Sequence, residues 1–303
     1  MSKIIPLLLL FVILQCSKNS VRENLPVDYV LIHHKIQIDS LEREYILFQP
    51  KQIKAEVILI ALHGRGGTGE ELMWKTGFNS LAEEEGFIIV YPFGLNRAWV
   101  DGRQLPDEDK NANDEKFILT LREKLKKEFS IQKFFLFGYS NGGFMVQRMA
   151  FFYPNTFIGY AGVVSSISEN LNKHKPRQPA AVLFINGTDD PIVPYNGGMI
   201  LGNKGVALGV EDTVKQWIKW NKCELKPELE TINQQDDGVK VFIYNYTKCK
   251  SKKSVRFIKL EGAGHGWPGK LEEEISGFGK FTTEVSANQE IWKFAKSQLP
   301  RKN

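Results

Sequence analysis

The chain has 303 residues, 42% of them hydrophobic, which is enough to bury a substantial core in a single α/β domain. Its 40 basic and 35 acidic residues leave a formal charge of +5 that is small beside the total and spread along the chain, so a polyanionic partner has little support. The densest basic run, Lys248, Lys250, Lys252 and Lys253, has no interleaved aromatics and no nucleic-acid motif around it, and reads as a solvated turn.

At the amino terminus Lys3 precedes an apolar run from Ile4 to Leu14, too short to span a bilayer but suited to the hydrophobic region of a secretory signal. The run ends in Ile13-Leu14-Gln15-Cys16, which resembles a bacterial lipoprotein cleavage box, although Gln15 replaces the usual small residue. Residues 1–16 are therefore expected to be a leader, with Cys16 as the lipid-bearing first residue of the mature chain and ordinary cleavage nearby as the alternative. Lipidation at Cys16 would hold an exported protein on a membrane surface. Residues 17–27 are polar, contain Pro26 and lack periodicity, as expected of a tether. Setting Cys16 aside leaves Cys223 and Cys249, an even pair in a compartment where disulfides persist, and a bridge between them is expected over two free thiols.

From residue 28 to about 300 the pattern is that of one catalytic domain. Tyr29 to Ile38 and Glu44 to Phe48 alternate enough to predict an antiparallel hairpin at a sheet edge. Val57 to Leu62, Phe87 to Tyr91, Phe134 to Phe137 and Val182 to Ile185 are short, continuous apolar runs, as in strands covered on both faces. Helical patterns lie between them: Phe78 to Glu85, then Glu115 to Phe129, whose Phe117, Ile118, Leu121, Leu125 and Phe129 share a face. Glu211 to Trp220 predicts another helix, Lys240 to Tyr246 and Val255 to Leu260 later strands, and Ser286 with Gln289 a capping pair opening the last helix. Such alternation implies a mostly parallel sheet with helices on both faces, whose ligands bind beyond the carboxyl ends of the strands.

Gly138-Tyr139-Ser140-Asn141-Gly142-Gly143 directly follows one of these strands and opens a helix. A serine at such a turn is forced into a strained, exposed position with its hydroxyl at the sheet edge, the nucleophile elbow of the α/β-hydrolase fold. A hydroxyl nucleophile needs a base, and among five histidines His265 is the candidate, in the glycine-rich stretch Gly262 to Gly269 after the strand ending at Leu260. His33 and His34 belong to the hairpin, and His174 to a polar loop. Asp189 and Asp190, just past the strand Val182 to Ile185, are the candidate carboxylates to orient the imidazole. The order serine, acid, histidine is the one this fold uses. Leu62-His63-Gly64-Arg65-Gly66-Gly67 stands where the fold provides half its oxyanion hole, so the backbone amides of Arg65 and Asn141 are the expected donors, with His63 structural.

These strings, with Thr76-Gly77-Phe78-Asn79, Trp99, Asp101-Gly102-Arg103, Gly187-Thr188-Asp189-Asp190-Pro191, Val193-Pro194-Tyr195 and His265-Gly266-Trp267-Pro268-Gly269, resemble the polyhydroxybutyrate depolymerase and feruloyl esterase group over about residues 40 to 298. The resemblance implies that Asp190, immediately before the proline, is the catalytic acid, and it favours the Cys223–Cys249 bridge. Many members carry cysteine where this chain has Arg65, and asparagine where it has Val100. The reaction implied is serine-dependent ester hydrolysis through an acyl-enzyme, with a polyhydroxybutyrate-like ester as the first substrate and feruloyl or acetyl esters of polysaccharide as the alternative. A peptidase, or a surface binding protein without turnover, is more distant.

No cofactor is needed, and no histidine or cysteine pair has zinc-ligand spacing. Little material lies between the strands near Val163 and Val182, so little or no lid is expected. Trp99, Tyr195 and Trp267, with Phe93, are the candidates for an aromatic wall around the acyl group, core packing being the alternative for each.

Overall fold

The computed structural model describes residues 32–109, 111–270 and 277–300. Contacts divide the chain into Met1–Val30 and Leu31–Asn303, and the elements below belong to the second unit. The leader, Cys16 and the polar tether lie outside the described residues.

β1 (Ile32–Ile38) and β2 (Leu41–Phe48) form the expected hairpin, in register from Ile32 opposite Leu47 to Ile38 opposite Leu41. There follow β3 (Val57–Leu62), α1 (Gly69–Thr76), α2 (Phe78–Glu85), β4 (Ile88–Pro92), α3 (Asp114–Phe129), β5 (Lys133–Tyr139), α4 (Asn141–Phe152), β6 (Gly159–Val163) and α5 (Glu169–Asn172). The carboxyl half adds β7 (Val182–Gly187), a small ribbon of β8 (Gly198–Met199) and β9 (Val206–Ala207), α6 (Val210–Asn221), β10 (Glu228–Ile232), β11 (Lys240–Tyr246), β12 (Val255–Glu261) and α7 (Ala287–Ser297).

The main sheet runs in the order β1-β2-β4-β3-β5-β6-β7-β12-β11-β10. From β4 to β12 neighbouring strands are parallel. β2 joins β4 antiparallel at one margin, and β11 with β10 continues antiparallel from β12 at the other. The second antiparallel margin is the main addition to the sequence reading. Its outer strand, β10, is exposed over most of its length and carries Glu228 and Glu230, so no hydrophobic pattern announces it; pairing with β11 makes it a strand.

The continuous apolar runs arise because the central strands are covered on both faces. Every residue of β3 is buried, and β5 is buried from Phe134 to Tyr139. Along β5 successive side chains point to opposite faces. Phe134 and Leu136 join a core cluster with Phe117, Ile118 and Leu121 of α3, Met145 and Met149 of α4, and Trp217 of α6. Phe135 and Phe137 face the other way, against Phe294 of α7 and Phe78 of α2. α7 starts as its sequence predicts, with the Ser286 hydroxyl accepting from the Gln289 amide.

Two tethers join elements distant in the chain. Arg43 of β2 is buried, donating to Asp114 at 2.7 Å and to the carbonyls of Ala112 and Phe93, while the other Asp114 oxygen accepts the Val100 amide. A buried charge of this kind persists only because it is paired and fully hydrogen-bonded. Cys223 and Cys249 form a disulfide between the end of α6 and the segment after β11, as expected.

Candidate active site

β5 ends against α4 with no intervening loop, and Ser140 occupies the corner with φ 52° and ψ −118°. A non-glycine residue with positive φ is strained, and here neighbouring contacts hold it: the Ser140 amide donates to the Val163 carbonyl, and its carbonyl accepts from Phe144. The corner is tight because Gly142 lies on β3, where a Cβ would sit 2.2 Å from the Leu62 carbonyl oxygen.

His265 reaches this corner from the loop after β12. Its imidazole lies 3.0 Å (Nε2) from the Ser140 hydroxyl and 2.7 Å (Nδ1) from Asp190 Oδ2. An ionised carboxylate only accepts, so Nδ1 carries the proton, and in the neutral ring Nε2 then accepts from the serine hydroxyl. The loop is fixed by the amides of Gly264 and His265, which donate to Lys280 and Phe278, and by close approach at Gly264, where a Cβ would fall 2.1 Å from the Phe278 carbonyl oxygen. Asp190 sits in the turn after β7, its Oδ1 accepting the amides of Ile192 and Val193 at 2.8 Å each. Asp190 and His265 are both buried, whereas Asp189 is exposed and bonded to Thr188. The three side chains thus form one hydrogen-bonded relay drawn from elements whose outermost members, Ser140 and His265, are 125 residues apart.

Gly64 and Arg65, after β3, border the same cleft as Ser140 and Asn141. Among the described residues, the Arg65 amide has no backbone acceptor, and Asn141 stands at the first position of α4, where a helix leaves its amide without an intrahelical partner. The Asn141 side chain holds the neighbouring loop: Oδ1 accepts the Trp99 amide, and Nδ2 donates to the Trp99 carbonyl and to Asp101. His63 is buried and bridges two loops, its Nε2 accepting the Gly94 amide at 2.8 Å and Nδ1 facing the Gly64 carbonyl at 2.7 Å. Burial pushes the His63 pKa down to about 4.

The aromatic wall is not where the sequence placed it. Trp99 and Trp267 are 0% and 1% exposed; Trp99 donates through its indole to the His63 carbonyl, and Trp267 stacks behind Tyr139 and Phe137 and donates to Asn288. Tyr195 donates to Glu211 and borders a separate depression with Asn196 and Lys259. Phe93 packs on His33. All four are large side chains at loop ends, where burial beneath the site and lining of the site give the same sequence pattern.

The cleft instead takes its apolar surface from Ile192, Val193, Ile200, Leu201 and Phe278, and its polar surface from Arg65, Arg103 and Lys204. Most of these belong to residues 188–209, the excursion between β7 and α6 that contains β8 and β9. The available signal was a glycine-broken stretch holding adjacent apolar residues, Met199 to Leu201, with no helix or strand to bury them.

No family model matches the chain. It is 25% identical over 224 residues to feruloyl esterase B of Piromyces equi, a span covering 70% of this chain and 40% of that protein. It is 22% identical over 211 residues to a bifunctional acetylxylan esterase/xylanase of Neocallimastix patriciarum, covering 69% and 28%. The match thus spans less than half of either relative. Among solved structures, the acetyl xylan esterase from Aspergillus awamori aligns with TM-score 0.53 at 16% identity, over 83% of this chain and 93% of that one, a likeness of fold.

Proposed function

We propose that this chain, an α/β-hydrolase of the feruloyl-esterase-like group, is a serine carboxylic-ester hydrolase acting through an acyl-enzyme. The observation that carries the reading is the relay in which His265 lies 2.7 Å from Asp190 and 3.0 Å from Ser140. In the proposed cycle His265 Nε2 takes the hydroxyl proton as Ser140 Oγ attacks the ester carbonyl. Asp190 stabilises the imidazolium. The amides of Arg65 and Asn141 meet the oxyanion, each worth about 3 kcal/mol in the barrier. The imidazolium returns its proton to the departing alkoxide; water, activated by the same nitrogen, then releases the acid and restores Ser140.

The named relatives act on feruloyl and acetylxylan esters, which moves the preferred substrate from polyhydroxybutyrate to acyl esters carried on polysaccharide. The apolar strip of Ile192, Ile200 and Leu201 suits a hydroxyalkanoate chain equally, so both substrates enter the test. Release of ferulate from feruloylated arabinoxylan or acetate from acetylated xylan, exceeding release of hydroxybutyrate from its oligomers, supports the polysaccharide reading; the opposite ranking overturns it. Equal rates for the wild type and Ser140→Ala with every ester would leave a binding protein. We further propose export, with the chain held at a membrane by lipid on Cys16; the apolar leader and the Cys223–Cys249 disulfide support it.

A further inference from the structure

Among the described residues, the charged groups lining the cleft beside Ser140 carry one sign: apart from His265 and Tyr139 the ionisable ones are Arg65, Arg103 and Lys204, and no carboxylate is among them. The three differ in how their charge is met. Arg103 is neutralised by Asp101, at 2.7 Å, and donates to the Lys204 carbonyl. Lys204 and Arg65 share one oxygen of Asp107, Lys204 at 2.7 Å and Arg65 only at 3.5 Å. Two cations on one carboxylate leave an excess of positive charge. Glu108 lies near Arg65 and Arg103 as well, and burial pushes its carboxyl up.

Arg65 is the less satisfied of the sharing pair. Its Nε and second terminal nitrogen are buried and have no acceptor among the described residues. Leaving such donors unmet costs free energy, and meeting them with an anion recovers it through charge-assisted, bidentate bonds. Because, among the described residues, the guanidinium is held by a single contact at the limit of hydrogen-bond reach, turning it toward an acceptor in the cleft breaks little. We infer that the cleft selects esters carrying a carboxylate, held by Arg65 and Lys204 while Ser140 attacks the ester carbonyl. This rests on the esterase reading and names the substrate class within it. Ile192, Ile200 and Leu201 would cover the apolar part between the two groups.

The test compares the mono-p-nitrophenyl ester of adipic acid with the same molecule capped as a methyl ester, so that length is similar and charge differs. Rates are normalised to hydroxide-catalysed hydrolysis. The wild type is expected to favour the anionic ester in kcat/KM by about tenfold, the worth of one charge-assisted contact, with the preference falling as salt is added. Arg65→Gln and Lys204→Gln each bring the ratio toward one, and Arg65→Lys restores part of it. Because the ratio is taken within each variant, a general loss of activity or folding does not mimic the result. A wild-type ratio of one or less, or a ratio unchanged in both glutamine variants, overturns the inference. Turnover of the neutral ester with no charge preference leaves the esterase reading standing alone, and no turnover of either ester removes both.

Discussion

The Tyr139 hydroxyl donates to the main-chain carbonyl of His265 at 2.8 Å, so the residue before the candidate nucleophile holds the backbone of the candidate base. The bond ties the end of β5 to the loop after β12, beside the contact between Ser140 and the His265 ring. Tyr139→Phe keeps the ring packing on Trp267 and removes this bond together with the 3.5 Å contact from Lys75 Nζ. A single neutral hydrogen bond is worth about 1 kcal/mol, so kcat with p-nitrophenyl butyrate should fall about fivefold with KM little changed. Unchanged kcat would show that packing alone holds the two together.

Ser140→Ala should lower kcat by more than about a thousandfold, because members of such a relay act as a unit. Its melting temperature should stay close to that of the wild type, since the corner is shaped by Gly142 and by backbone bonds that alanine preserves. Steady-state kinetics and calorimetry on the same preparation separate the two effects.

Asp190→Asn leaves the imidazole without an anion at Nδ1 and permits the wrong tautomer, for which a loss of about ten-thousandfold in kcat is expected. Asp189→Asn, at an exposed position whose carboxylate accepts from the Thr188 hydroxyl, should change the rate less than about threefold. Measured side by side, a larger defect in the second variant would reassign the acid.

His63 gives a pH dependence of stability. Its folded pKa of about 4 lies below the ordinary 6.5, chiefly through burial, so between these values the unfolded chain binds a proton that the folded one does not. Stability therefore rises with pH through that window and is lost on acidification, by roughly 3 kcal/mol in full. Protonation would also cost Nε2 its bond from Gly94. Urea midpoints should fall from pH 6.5 toward pH 4, and His63→Gln should flatten that limb while lowering stability at neutral pH.

The disulfide closes a segment with a sequence separation of 26. In the chain-entropy model it contributes about 3.5 kcal/mol. Cys223→Ser with Cys249→Ser should lower the denaturant midpoint correspondingly, while leaving the relay intact. A midpoint unmoved by reduction would show that α6 and β11 are held by packing alone.

The relay was legible because three short strings each carry their own constraint. The glycines around Ser140 mark a corner without room for side chains, the stretch around His265 marks close backbone approach, and Asp189 and Asp190 stand just past a strand, where only the family resemblance chose between them. Burial inside a parallel sheet likewise writes itself as continuous apolar runs, which is why β3, β5 and β7 stood out. The cleft was legible only in part. Arg65 had been singled out for its amide, and nothing in the sequence tells which face of a loop its side chain takes. Trp99 and Trp267 looked like lining and are packing, because an aromatic ring near a site has the same neighbours in sequence in either role. β10 escaped because its register comes from a partner strand and not from its own pattern.

The excursion of residues 188–209 is anchored at both ends to rigid elements and carries its own two-stranded ribbon, yet contributes no member of the relay beyond Asp190 at its root. Much of the cleft's lining is thereby gathered on a length of the polypeptide that holds only Asp190 of the relay, so exchanging the part of it beyond Asp190 is a direct way to alter the preferred ester while the other relay members stay in place.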